Sequence, residues 1–204
     1  GTALKVPIDE NHSLNAQSPY AASKIAADQL ALSFYRSFNL PVTILRPFNT
    51  YGPRQSARAV IPTIILQLLS GYKELKIGNI NTTRDFSYIE DTIDGFVACI
   101  NKKNIQGEII NLGSGREISI KNLIKTISKE MSVNVKILQE KQRKRPLRSE
   151  VNRLLSNNKK ALKLLKWKPK YQNQSGLIIG IKKTIEWFSR DENLEKYKAD
   201  LYNI

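Results

Sequence analysis

A chain of 204 residues, 41% of them hydrophobic and 25% charged, is long enough for one packed domain or one and a half. Its apolar runs fall short of the ~20 residues that span a bilayer, and the opening residues do not read as a basic-then-apolar leader. The formal charge of +15 scatters along the chain except for Lys141-Gln142-Arg143-Lys144-Arg145-Pro146-Leu147-Arg148, which has no interleaved aromatic residues for stacking on bases. A solvated, Lys-rich surface is the stronger reading of that charge, and a non-catalytic basic module that binds nucleic acid the weaker one. Cys99 sits in the apolar run from Phe96 to Ile100 and reads as a small buried hydrophobe. With no second cysteine a disulfide framework is excluded, which fits a reducing cytoplasm. His12 has no second His or Cys nearby, so no metal site is expected.

In chain order, Ser18-Pro19 opens a predicted helix over 18–38, in which Leu30, Phe34 and Phe38 recur at helical spacing. Asn39-Leu40-Pro41 ends it, and Val42 to Leu45 reads as a short buried strand. Arg46 to Arg58 is predicted as a loop, and Ile61 to Leu69 as a helix closed by Gly71. Leu75 to Ile77 is a strand candidate, Ile89 to Asn101 a helix, and Glu108 to Leu112 a strand broken by Gly113-Ser114-Gly115. Ser119 caps a helix over Ile120 to Met131, and Val133 to Leu138 reads as a further strand. Lys159 to Leu165 and Leu177 to Phe188 complete the helices. Strands alternating with helices predict an α/β fold with parallel pairing.

The sharpest chemical signal is Tyr20-Ala21-Ala22-Ser23-Lys24. Tyr and Lys at i and i+4 share one side of a helix, one turn apart. A free phenol, with a pKa near ~10, is a poor base at neutral pH, and an adjacent ammonium favours its ionised form. The pair alone also arises by chance on surface helices. Gly113-Ser114-Gly115 has neither a Lys-Ser/Thr continuation nor the G-x-G-x-x-G pattern, so it reads as a turn feeding the Ser119 cap. Asp9-Glu10 reads as a surface turn, and Glu90 and Asp94 as residues that cap or solvate their helix.

Ser18-Pro19-Tyr20-Ala21-Ala22-Ser23-Lys24 is followed in order by Arg46-Pro47-Phe48-Asn49-Thr50-Tyr51-Gly52-Pro53-Arg54, by Arg84-Asp85-Phe86-Ser87-Tyr88-Ile89-Glu90-Asp91 and by Asn111-Leu112-Gly113-Ser114-Gly115. With these four motifs the chain resembles the extended short-chain dehydrogenases, the NAD-dependent epimerase/dehydratase family acting on nucleotide sugars, over nearly its whole length. Within that family, Phe48 to Arg58, Arg153 to Ala161 and Trp167-Lys168-Pro169 look most like 4,6-dehydratases acting on a UDP-N-acetylhexosamine in surface-polysaccharide sugar synthesis. Lys166 stands where those relatives usually have Gly. A 4-epimerase or a UDP-glucuronate decarboxylase is the alternative within the family.

The resemblance implies a division into residues 1–50, the remainder of a Rossmann-type doubly wound dinucleotide-binding domain, and 51–204, a smaller α/β nucleotide-sugar subdomain with some return to the first sheet. It implies Tyr20 as catalytic acid/base and Lys24 as its partner on the nicotinamide ribose. Tyr20, Lys24, Pro47 and Thr50 would contact NAD, and Asn49, Val60, Arg84, Asn111 and Arg153 the nucleotide sugar. Two arginines on a diphosphate make physical sense, because Arg–phosphate bonds are strong and directional. Pairing of Arg84 with Asp85 or Asp91, and a solvated helix face for Arg153, are the bland alternatives. The family's Gly-rich β-α-β unit, which binds the pyrophosphate, does not occur in these residues. Nor does the Ser or Thr, often beside a carboxylate, that precedes the position of Gly1. The chain is therefore expected to be a portion of a longer protein, inactive and without measurable NAD binding on its own. Its bared apolar surface is expected to be covered by self-association (a homodimer), by swapping or by a second chain.

Overall fold

The computed structural model describes residues 1–197; the rest of the expected second domain, 198–204, lies outside the described residues. Helix α1 (Pro19–Phe38) begins where the Ser18 hydroxyl accepts the Ala21 N–H, with Pro19 filling a position that needs no donor. It ends at Asn39, whose φ of 53° turns the chain out of the helix. Strand β1 (Ile44–Pro47) starts two residues later than its β-branched run predicts. The Val42 carbonyl accepts the Gly107 N–H instead, and the ladder begins only at Ile44 opposite Ile109.

Three strands are invisible to hydrophobic patterning. β2 (Asn49–Tyr51) lies in the predicted loop, and β4 (Thr83–Tyr88) and β6 (Glu117–Ser119) are rich in Asn, Thr, Arg, Asp, Glu and Ser. Backbone pairing, not side-chain pattern, makes them strands. The other elements fall close to expectation: α2 (Val60–Leu69), β3 (Glu74–Ile77), α3 (Ile89–Ile100), β5 (Ile109–Leu112), α4 (Ile120–Glu130) and β7 (Lys136–Gln139). Helices α5 (Lys159–Leu165), α6 (Gln174–Phe188) and the short α7 (Asp191–Leu194) complete the chain. Ser119 caps α4 by accepting the Asn122 N–H, as predicted, and Asn173 caps α6, which starts three residues before Leu177.

The strands form three small sheets, β1–β5, β2–β4–β6 and β3–β7. Among the described residues the pairing is parallel, as expected, apart from β4–β6, which is antiparallel. The fold is α/β. The larger core joins α2, α4 and α6 to β3 and β4 through Ile64, Ile65, Leu75, Leu123, Ile127 and Ile181. A second, smaller cluster gathers Ile105, Ile110, Leu112, Ala161, Leu165 and Trp167 beneath β5. Cys99 is half-buried at the edge of that second cluster rather than enclosed by it.

Candidate active site

Helix α1 rests on the β1–β5 pair through two contacts. Asp28 binds the Arg46 guanidinium at 2.7 Å, and Tyr35 lies where any side chain at Gly107 would have to go. Tyr20, Lys24 and Asp28 follow one another at four-residue intervals, so the Asp28–Arg46 bond turns their side of the helix towards β1. Tyr20 is 72% exposed, and the Lys24 ammonium lies 5.6 Å from its ring centre. The one-turn pairing read from the sequence is present.

At the carboxyl end of the parallel pair, Arg46 stands opposite Asn111 and Pro47 opposite Leu112, and the chain leaves β1 with the Phe48 N–H bound to the Leu112 carbonyl. Ligands of α/β proteins bind just outside such strand ends. Pro47 ends β1 here, and Asn49 and Thr50 follow on β2, opposite Phe86 and Ser87 of β4. The Thr50 hydroxyl is engaged inside the protein, 3.1 Å from that of Thr92 on α3. Val60 is the first residue of α2 and packs against the larger core. The Asn111 side chain is buried and donates to the Ile8 carbonyl at 3.1 Å, while its backbone N–H donates to the Glu10 carboxylate at 2.8 Å. Glu10 is thus more than the surface residue expected: it pins the stretch before α1 to β5.

Arg84 is the second residue of β4, and the backbone of the Arg153 segment runs beside it. Arg153 lies in an extended segment that bridges to Thr83, the residue beside Arg84, which corrects the helix-face alternative. The partner of Arg84 is Glu150 at 3.4 Å, not Asp85 or Asp91, and Arg84 also donates to the Thr83 carbonyl at 2.8 Å. Burial draws the Arg84 pKa down, and the Glu150 carboxylate pushes it back up. Glu117 on β6 binds the Arg153 guanidinium, with the Thr83 hydroxyl as a further donor. Arg153 holds the Glu117 carboxyl below its ordinary range. Each expected phosphate ligand therefore already sits beside a carboxylate, and neither carboxylate carries a signal in the sequence.

Asp85 is the other residue that the sequence reading passed over. It is fully buried, and its carboxylate accepts from Ser114 N, Ser114 Oγ, Gly115 N and Ser156 N, at 2.7, 2.6, 3.0 and 3.0 Å. Burial raises its pKa, and these four donors pull the other way. No signal in the sequence marked it, because the strand that buries it is itself not legible there. Gly113-Ser114-Gly115 is indeed a turn, with Gly115 at a φ of 71°, and it is Asp85 that organises it. Glu90 and Asp94 reach beyond α3 rather than capping or solvating it: Glu90 binds Tyr171 and Lys183 on the carboxyl-terminal side, and Asp94 binds Lys170. In the basic cluster Arg143 binds Glu140, while residues 144–148 are exposed.

An α/β chain that sets a Tyr–Lys pair beside the carboxyl ends of parallel strands has the layout of a short-chain dehydrogenase. Residues 1–178 match the family described as GDP-mannose 4,6 dehydratase. The chain is 33% identical to human dTDP-D-glucose 4,6-dehydratase over 204 residues, covering 97% of this chain and 55% of that protein. It is 31% identical to the UDP-glucose 4-epimerase of Mycolicibacterium smegmatis over 192 residues, covering 92% of this chain and 58% of that one. In structure it resembles a UDP-glucuronic acid 4-epimerase from Bacillus cereus solved with UDP-glucuronic acid and NAD, with a TM-score of 0.80 and 29% identity over 93% of this chain and 57% of that one. The chain belongs to the NAD-dependent epimerase/dehydratase family of extended short-chain dehydrogenases. It spans a little over half the length of these relatives. Among the described residues no helix is long and apolar enough to cross a membrane.

Proposed function

We propose that this chain supplies the acid/base pair and the nucleotide-sugar cradle of an NAD-dependent nucleotide-sugar 4,6-dehydratase acting on a UDP-N-acetylhexosamine. The observation that carries the reading is the Tyr20–Lys24 pair on a helix tied to β1, whose carboxyl end lies beside Asn111 of β5. In this reading residues 1–50 are the remainder of a Rossmann-type dinucleotide-binding domain, and 51–204 form the smaller substrate subdomain, with β5 returning to pair with β1.

The residues fit a nicotinamide end: Tyr20 and Lys24 are exposed, and Pro47 and Thr50 lie where β1 ends. NAD, when bound there, supplies the acceptor for the hydride that leaves C4 of the sugar. Tyr20 takes the proton of the 4-hydroxyl through its phenol oxygen, and the Lys24 ammonium stabilises the charge on that oxygen. Arg84 and Arg153 hold the diphosphate by charge-assisted bonds, exchanging part of their contact with Glu150 and Glu117. Asn49 and Val60 line the sugar and nucleoside side.

The deciding experiment incubates the whole enzyme with UDP-N-acetylglucosamine and follows the product by NMR. A 4-keto-6-deoxy sugar supports the reading. The resemblance to two 4-epimerases makes epimerisation the second reading, and a 4-epimer as sole product would replace dehydration by it.

A further inference from the structure

Three stretches of chain carry the residues proposed to hold the nucleotide sugar: β4 with Arg84, β5 with Asn111, and the segment 151–157 with Arg153. All three converge on one buried carboxylate. Asp85 is the neighbour of Arg84, it binds the turn three residues beyond Asn111, and it binds Ser156 three residues beyond Arg153. The junction is tight. A Cβ at Gly113 would lie 2.3 Å from the Ser156 Cβ and 2.9 Å from Asp85 Oδ2. Asn158 locks the same turn, donating to the Gly113 carbonyl at 2.6 Å and accepting its N–H at 3.1 Å. From Ser156 the network continues to Ile8, whose carbonyl accepts from both Asn157 N and Asn111 Nδ2.

Four donors and no acceptor face this side chain. A carboxylate has about four lone-pair sites and matches them, whereas an amide would turn its own N–H groups at buried donors. We infer that Asp85 is a positioning residue of the nucleotide-sugar site, holding the Arg153 segment and the turn beyond Asn111 against the strand that carries Arg84. The inference rests on the reading under Proposed function. Asp85 itself is fully buried and would act through the segments it holds.

The molecule provides its own control. Asp91 on α3 is equally buried and also ties distant chain together, accepting Lys170 N at 2.7 Å and Tyr171 N at 3.0 Å, while its carbonyl accepts Trp167 Nε1. It holds none of the three stretches. If Asp85 were merely structural, Asp85→Asn and Asp91→Asn would behave alike.

The test measures urea stability and UDP affinity by calorimetry for the chain and both variants. Both should lose stability, but only Asp85→Asn should lose UDP affinity, by about tenfold or more, with Asp91→Asn within about twofold of wild type. Unchanged UDP affinity in Asp85→Asn, or an equal loss in Asp91→Asn, overturns the inference. Should Asp85→Asn fail to fold, Ser114→Ala removes one of the four donors, and a smaller affinity loss of the same sign is expected; no loss there counts against it. Failure of the wild-type chain to bind UDP would strike the nucleotide-sugar reading instead. Hydrogen exchange over 153–156 then decides the positioning role: faster exchange in Asp85→Asn than in Asp91→Asn supports it, and equal exchange overturns it.

Discussion

Helices α4 and α1 both carry apolar residues at helical spacing, yet they end in opposite environments. In α4, Leu123, Ile124 and Ile127 are wholly enclosed by α2, α6 and the β3–β4 region. In α1 only Leu32 is buried, and Leu30, Phe34 and Phe38 lie open on the surface, Phe38 at 74% exposure. Helix α3 repeats the pattern of α1: Gly95 packs against Leu112, but Ile93, Phe96, Val97 and Ile100 face outwards. A stripe of apolar residues shows that a helix face wants cover; it does not say which chain supplies the cover. The side built on α2, α4 and α6 closes on itself, and the side bearing the Tyr–Lys pair stays open.

The largest expected effect belongs to the open side and concerns chemistry alone. In the whole enzyme, Tyr20→Phe should lower turnover by about 10²–10⁴-fold with the melting temperature nearly unchanged, because an exposed phenol contributes little packing. Turnover within a few-fold of wild type would make Tyr20 an ordinary surface residue. Stability should behave in the opposite way. Leu123→Ala, in the closed core, should cost about 2–5 kcal/mol in urea unfolding of this chain, whereas Phe34→Ala on α1 should cost within about 0.5 kcal/mol. Equal costs would erase the distinction between the two sides.

Lys166 offers a smaller test. It closes α5 at a φ of 56°, the left-handed region that favours Gly. Lys166→Gly should therefore stabilise the chain by about 1 kcal/mol, read as a higher denaturation midpoint. No gain would mean that the lysine side chain compensates for its backbone strain.

The smallest expected effect is electrostatic. Arg153 depresses the Glu117 pKa, so the stability from this contact is present above the unfolded carboxyl range and fades as pH falls through the depressed value. NMR titration should find Glu117 below the ordinary Glu value of ~4.3, returning towards it in Arg153→Gln. An unmoved titration would show that Arg153 already leaves Glu117 free in solution.

Most helices were legible because their caps and periodicity are local: Ser18 before Pro19, Ser119 before Ile120, and an apolar repeat through α2 and α4. The Tyr20–Lys24 pairing was legible for the same reason, since four residues on a helix are one turn whatever surrounds it. Strands β2, β4 and β6 were not, because their polar residues become strand only when a neighbouring backbone satisfies them. The partners of Arg84 and Arg153, the reach of Glu10 to Asn111 and the four donors around Asp85 are likewise contacts between residues far apart in the chain. Sequence alone determined the Tyr–Lys spacing along one helix and, through four ordered motifs, the family. Tertiary structure alone decided which carboxylate answers each arginine and which carboxylate is buried. A charge chooses its partner by distance and desolvation, and both exist only once the chain has folded.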